Sequence, residues 1–204
     1  MSQAQLGVVL AQEAGPTARP TFWNIGPLGE ALFYYLAAVT VAVFAYGVYG
    51  RFARYTRGAE DPVDRLRDLP GRLARAVKVV ATNEKNFDRD LYGGLMHTFI
   101  FWGFLSLVVA TGIIAFDMDV YRYLTSGDSF FVGDFYLAYS LVADAMGLLF
   151  VVGVGMAIYR RYWVRNERLW GKHTGLEDDL FVWTLFLLGV GGYVTEGLRM
   201  LGTR

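Results

Sequence analysis

Residues 93–116 read GGLMHTFIFWGFLSLVVATGIIAF, an apolar stretch without a formally charged side chain and with one histidine, His97. A run of that length is enough for a helix to cross the roughly 30 Å of hydrocarbon in a bilayer. Backbone polar groups in lipid must be satisfied within the segment, so a helix is the expected form. Three further runs match it: about residues 28–50, interrupted near the start by Glu30; about 135–159, containing Asp144; and about 180–201, with Glu196 and Arg199 near its end. The expected fold class is therefore all-α integral membrane, built on a four-transmembrane-helix bundle.

Composition agrees. Hydrophobic residues make up 54% and aromatic residues 16% of the 204 positions, more than a soluble core of this size needs, so the surplus has to face lipid. Basic and acidic side chains balance at 19 each, which gives no global field for nucleic acid or an acidic substrate. Cysteine is absent, which excludes disulfides, thiol catalysis, Cys-ligated zinc and an iron-sulfur cluster held by this chain alone. Any histidine chemistry is confined to His97 and His173.

The charges are segregated. Residues 51–90 hold ten Lys/Arg and residues 160–179 hold five, whereas residues 117–134 hold Arg122 against four acids. The positive-inside rule then puts the first and third loops in the cytoplasm and the amino terminus outside. Residues 1–27, punctuated by Pro16, Pro20 and Pro27, are expected to form an extracytoplasmic segment ahead of a transmembrane domain over 28–204. No cleaved signal is expected, because the apolar stretch Gly7 to Ala11 is short and lacks a basic flank. Within the loop 51–90, Val63, Leu66, Leu69, Leu73 and Val77 recur at helical spacing among arginines. That pattern predicts an amphipathic helix on the inner membrane surface, kinked at Pro70, with a solvated charged connector as the alternative.

Few polar residues lie inside the spans, and the chemistry has to come from them. His97 stands just over one turn into the second span, with no acid between Gly93 and Phe116 to pair with it. Such a histidine is costly unless its ring nitrogen is used, and axial ligation of haem iron suits a neutral imidazole. Gly93 and Gly94 would leave room for a flat macrocycle, and Ile100, Phe101 and Phe104 would wall it. The other reading is a hydrogen bond to a neighbouring helix. His173, in the basic loop before the fourth span, could be a second ligand or a phosphate contact, although a solvated loop histidine is the plainer reading. Asp144 is either hydrogen-bonded within the bundle or lines a path for protons or a quinone. Glu196 and Arg199, three apart, read as an ion pair near the outer surface. The glycines 147, 153, 155, 189, 191 and 192 suit close helix packing. Phe33, Tyr34, Tyr35, Trp163 and Trp170 suit interfacial belts.

The segments LYGGLMHTFIFWGFLSLVVATG, LVADAMGLLFVVGVGMAIYRRYWVR and HTGLEDDLFVWTLFLLGVGGYVTEGLRM together resemble the membrane domain related to the gamma subunit of respiratory nitrate reductase. They resemble more closely the amino-terminal region of membrane-bound iron-sulfur oxidoreductases related to heterodisulfide reductase. Electron-transfer flavoprotein:methylmenaquinone oxidoreductases belong to that group. The resemblance implies a five-helix cytochrome b module in which His97 holds one haem b. It also implies an iron-sulfur domain or subunit on the cytoplasmic side, an electron-transfer flavoprotein as donor and menaquinone as substrate. Leu107 falls near the position of an outer haem ligand in that family and cannot ligate iron, so one haem is implied. A fifth span would carry its second ligand, in a longer protein of which this sequence is a part; the alternatives are a helix from a neighbouring subunit or His173 as the substitute. The competing expectation is a cofactor-free membrane anchor or assembly subunit.

Overall fold

The computed structural model describes residues 21–22, 24–58, 68–88, 90–164 and 175–202. Helix α1 spans Gly26–Tyr55 and opens on Pro27, whose missing N–H costs nothing in a first turn. Helices α2 (Leu69–Thr82) and α3 (Glu84–Phe87) follow, parted by Asn83 in the left-handed region at φ 50°. Helix α4 (Leu91–Phe116) is capped by Asp90, whose side chain accepts from Tyr92 N at 3.1 Å. It runs on through a π-helical turn, Asp117–Tyr121, into the short α5 (Arg122–Leu124). Helix α6 (Gly133–Tyr159) ends in a second π turn, Arg160–Val164. Helix α7 (Leu176–Gly202) begins with Glu177, Asp178 and Asp179, acids that suit the positive end of its dipole. Among the described residues four helices are long and apolar enough to cross a membrane: Gly26–Tyr55, Leu91–Leu124, Gly133–Val164 and Leu176–Leu201. Among the described residues there is no strand.

The chain divides into two compact units, one over residues 20–82 and one that includes residues 83–204. In the first, α1 buries no residue. Phe22, Phe33 and Tyr34 cluster near its start, Phe22 and Phe33 with ring centres 5.2 Å apart. Helix α2 keeps Leu69, Leu73, Val77 and Val80 exposed. Pro70 lies in the first turn of that described helix, where a proline does not kink; Val63 and Leu66 lie outside the described residues.

In the second unit α6 is the middle helix, packed on both α4 and α7. Phe150, Val154 and Ile158 form the buried centre, with Ile100 and Leu107 from α4 and Val182, Leu185 and Phe186 from α7 against them. Lipid gives helices no hydrophobic reason to associate, so closeness of fit has to do it. A Cβ at Gly103 would stand 2.8 Å from Met146 O and Phe150 N, and one at Gly153 2.9 Å from Ile100 N. Gly189 is pressed by Val151 and Gly147 by the Tyr193 hydroxyl. Gly155, Gly191 and Gly192 meet nothing within 4 Å, so only part of the glycine set serves close packing.

Polar clasps close both ends of this unit. Beyond α4, the buried Asp117 carboxylate accepts from Arg122 Nε at 2.9 Å, Ser129 Oγ at 2.8 Å and Phe130 N at 3.2 Å, folding the connection back on itself. At the opposite end, Asp179 Oδ1 accepts from Arg161 Nε at 2.7 Å and from Tyr162 OH at 2.8 Å, tying the start of α7 to the end of α6.

Candidate redox face and polar cleft

His97 lies in the second turn of α4 with its side chain exposed and no hydrogen bond to any described residue. It shares a stripe of the helix with Phe101, Phe104 and Val108, at spacings of three and four. Phe104 and Val108 are 52% and 50% exposed, so α6 and α7 leave this stripe largely uncovered. Phe101 stands edge-on to Trp102, and the Phe104 ring centre is 6.2 Å from that of Phe150. Ile100 does not belong to this face: it turns into the α4–α6 contact against Gly153.

The two glycines before His97 sit against protein. A Cβ on Gly94 would come within 2.6 Å of the Phe87 ring and 3.0 Å of Phe87 Cα. One on Gly93 would meet Arg160 Nη1 at 2.9 Å and Asp90 Oδ2 at 3.2 Å. The space expected there for a macrocycle is thus taken by α3 and by the Arg160–Asp90 pair, with Nη1 and Oδ2 2.5 Å apart. That guanidinium, with the backbone N–H groups of Tyr92 and Gly93, holds the Asp90 carboxyl below its usual value of 3.8.

A haem b needs an imidazole with an uncommitted nitrogen and an apolar surface beside it, and His97 with Phe101 and Phe104 satisfies that on one side. No second histidine stands among the described residues, which contain no group of three or more His, Cys, Asp or Glu able to hold a metal. His173 lies outside the described residues.

Asp144 is elsewhere, three turns into α6. It lines a cleft of about 460 Å³ between α4, α6 and α7 together with Leu107, Thr111, Tyr139, Tyr193 and Glu196. Tyr193 OH donates to the Asp144 backbone carbonyl and Tyr139 OH to Ala110 O at 3.0 Å. Glu196 pairs with Arg199, as the spacing suggests, and Arg199 Nη2 also donates to Tyr136 OH at 3.1 Å, joining α7 to α6. Sequence reasoning missed Tyr193 and assigned Gly192 to helix packing. Their signal was spacing, since 189, 192, 193 and 196 share the face of α7 that looks into the cleft.

The chain is 30% identical over 172 residues to the EtfAB:quinone oxidoreductase of Syntrophomonas wolfei, covering 84% of this chain and 22% of that protein. It is 30% identical over 138 residues to the probable iron-sulfur-binding oxidoreductase FadF of Bacillus subtilis, covering 68% of this chain and 18% of the relative. The third relative is a subunit of the dihydromethanophenazine:CoB–CoM heterodisulfide reductase of Methanosarcina mazei, 21% identical over 80% of this chain and 71% of its own length. The chain thus spans about a fifth of the first two relatives. No family model matches, and no solved structure matches. Of these relatives, one is named as a quinone oxidoreductase, one as an iron-sulfur-binding oxidoreductase and one as a heterodisulfide reductase subunit.

Proposed function

We propose that this chain is the haem b-containing membrane part of a quinone-linked oxidoreductase, passing electrons between an iron-sulfur or flavoprotein partner at the cytoplasmic face and menaquinone in the bilayer. The observation that carries this reading is His97: an imidazole inside a membrane helix, with no described hydrogen-bond partner, on a stripe that the neighbouring helices leave uncovered. A polar ring in that position is expensive unless a ligand takes its nitrogen. The relative named for EtfAB and a quinone adds the electron donor and acceptor by analogy.

A haem bound there would supply a one-electron centre in a low-dielectric shell. The chain's own residues would do the rest. His97 would offer one ring nitrogen as an axial ligand, and Phe101 and Phe104 would exclude water from that side. The second ligand would come from further chain, in keeping with the fraction of the relatives that this sequence covers. The basic residues 51–90 and 160–179 would face the cytoplasm and a soluble partner. With its amino-terminal segment outside, the protein would be a multi-pass component of a prokaryotic plasma membrane.

A second reading, a cofactor-free anchor for such a partner, is favoured by one finding: Phe87 and Arg160 fill the space beside Gly93 and Gly94. A pyridine-haemochrome spectrum of the protein purified with its partners separates the two. A b-type signal that His97→Ala abolishes, in protein that still inserts, supports haem ligation. An intact assembly free of haem overturns it in favour of the anchor.

A further inference from the structure

Helix α2 stands in the chain between two helices long and apolar enough to cross a membrane, and it buries no residue of its own. Leu69, Leu73, Val77 and Val80 recur at spacings of three and four, so they form one stripe, and each is more than half exposed. Arg72, Arg75 and Lys78 stand on the other side, and residues 69–82 contain no acid to offset them. Asp68, just ahead of the helix, comes within 3.6 Å of Arg75 Nη2, but both side chains are well exposed and such a pair holds weakly.

Chain continuity limits where this helix can be. Residues 56–68 link it to the end of α1, and residues 83–90, which include the α3 turn, link it to the start of α4. Even fully extended, residues 83–90 carry Thr82 no farther than about 30 Å from Leu91, and α3 shortens that reach. At 14 residues α2 is about 21 Å long, too short for the roughly 30 Å of hydrocarbon, and its three cations oppose crossing. An amphipathic helix tied at both ends to spans lies in the plane of the membrane–water boundary. Its apolar stripe then points at the acyl chains, and its cations stand at the level of the headgroups. The stripe is modest, four aliphatic side chains with no aromatic ring over residues 69–82. Association with a neutral surface is accordingly weak, and the cations have to supply the remainder against a negatively charged one.

We propose that α2 binds acidic phospholipids, with Leu69, Leu73, Val77 and Val80 seated at the acyl-chain boundary and Arg72, Arg75 and Lys78 drawing negatively charged headgroups around the helix. A soluble protein could meet the cations but not the stripe, which faces lipid. The inference rests on the spans that flank α2, and it needs nothing of His97, of a haem or of a quinone.

The test is hydrogen–deuterium exchange of the full chain with its partners, in nanodiscs of phosphatidylcholine alone or of equal parts phosphatidylcholine and phosphatidylglycerol. Amides of residues 73–80 should exchange at least about tenfold more slowly with the acidic lipid, since three cations near an anionic surface shift the equilibrium by that much or more. Amides of α6 around Phe150, Val154 and Ile158 should be the same in both, which reports an intact bundle. Combining Arg72→Gln, Arg75→Gln and Lys78→Gln should shrink the lipid effect to about twofold or less. Leu73→Asp with Val77→Asp should leave residues 73–80 fast in both nanodiscs. Equal exchange of wild type in the two lipids would overturn the proposal: equally slow means that neutral lipid or a protein covers the stripe, and equally fast that nothing does. A lipid effect that survives loss of the three cations would overturn it as well. The wild-type comparison decides the matter alone where a variant fails to insert.

Discussion

Arg160 Nη1 lies 2.5 Å from Asp90 Oδ2, so the π turn that ends α6 is clamped to the residue that caps α4. The guanidinium also passes over Gly93 and the Tyr92 ring, 5.8 Å from its centre. Because the pair holds the Asp90 carboxyl below 3.8, the folded state binds fewer protons there than the unfolded chain does. The stabilisation is complete above the unfolded value and is lost as pH falls through it toward the lower folded value. Thermal midpoints in detergent should be level above about pH 5 and drop below about pH 4. Asp90→Asn should lower the plateau slightly and flatten that acid fall, and an unchanged acid limb would show that the clamp contributes nothing.

Gly103 is the tightest point of the α4–α6 crossing. An alanine methyl there would meet Phe150 Cβ at 2.7 Å and two backbone atoms at 2.8 Å, and backbone cannot swing aside. Gly103→Ala should cost about 1–3 kcal/mol, the range for overpacking a close-packed core. Gly112 sits on the same helix with nothing within 4 Å, so Gly112→Ala should match or exceed wild type. Equal thermal midpoints for the two variants would contradict this account of the crossing.

How far the sequence could be read follows from what each signal reports. Four apolar runs announce four helices because length and apolarity are one-dimensional properties, and the structure extends them by only a few residues, as in Leu176–Gly202 against residues 180–201. Facing is a different matter. Helix α4 is apolar all round, so nothing in its pattern says that Ile100 turns to α6 while Phe104 stays outside. Nor could composition reveal that Phe87, outside every apolar run, would fill the space beside Gly94. Asp117 illustrates the same limit, since a loop acid by position is 1% exposed in three dimensions.

Among the described residues that buried carboxylate should be the costliest acid to remove. Asp117→Ala strands Ser129 Oγ and the Phe130 N–H and leaves Arg122 without its anion, a loss on the order of 3 kcal/mol. The connection 117–132 should also become an early site of protease cleavage in the intact, inserted protein. Asp128, exposed in the same connection, provides the comparison: Asp128→Ala should leave both readouts near wild type.

His97 permits an unusually clean separation of ligation from packing. Its ring is exposed and bonds no described residue. Removing it deletes little protein contact, so His97→Ala without cofactor should keep its thermal midpoint or gain slightly, a polar ring in an apolar helix having been lost. Under the proposed function the cofactor-loaded protein responds differently. A group that binds only the folded state stabilises it by mass action, so loaded wild type should melt higher than loaded His97→Ala. The informative quantity is the difference between those two comparisons. A midpoint that falls equally in both preparations would mean that the imidazole serves structure, whereas a fall confined to the loaded one is what iron ligation requires.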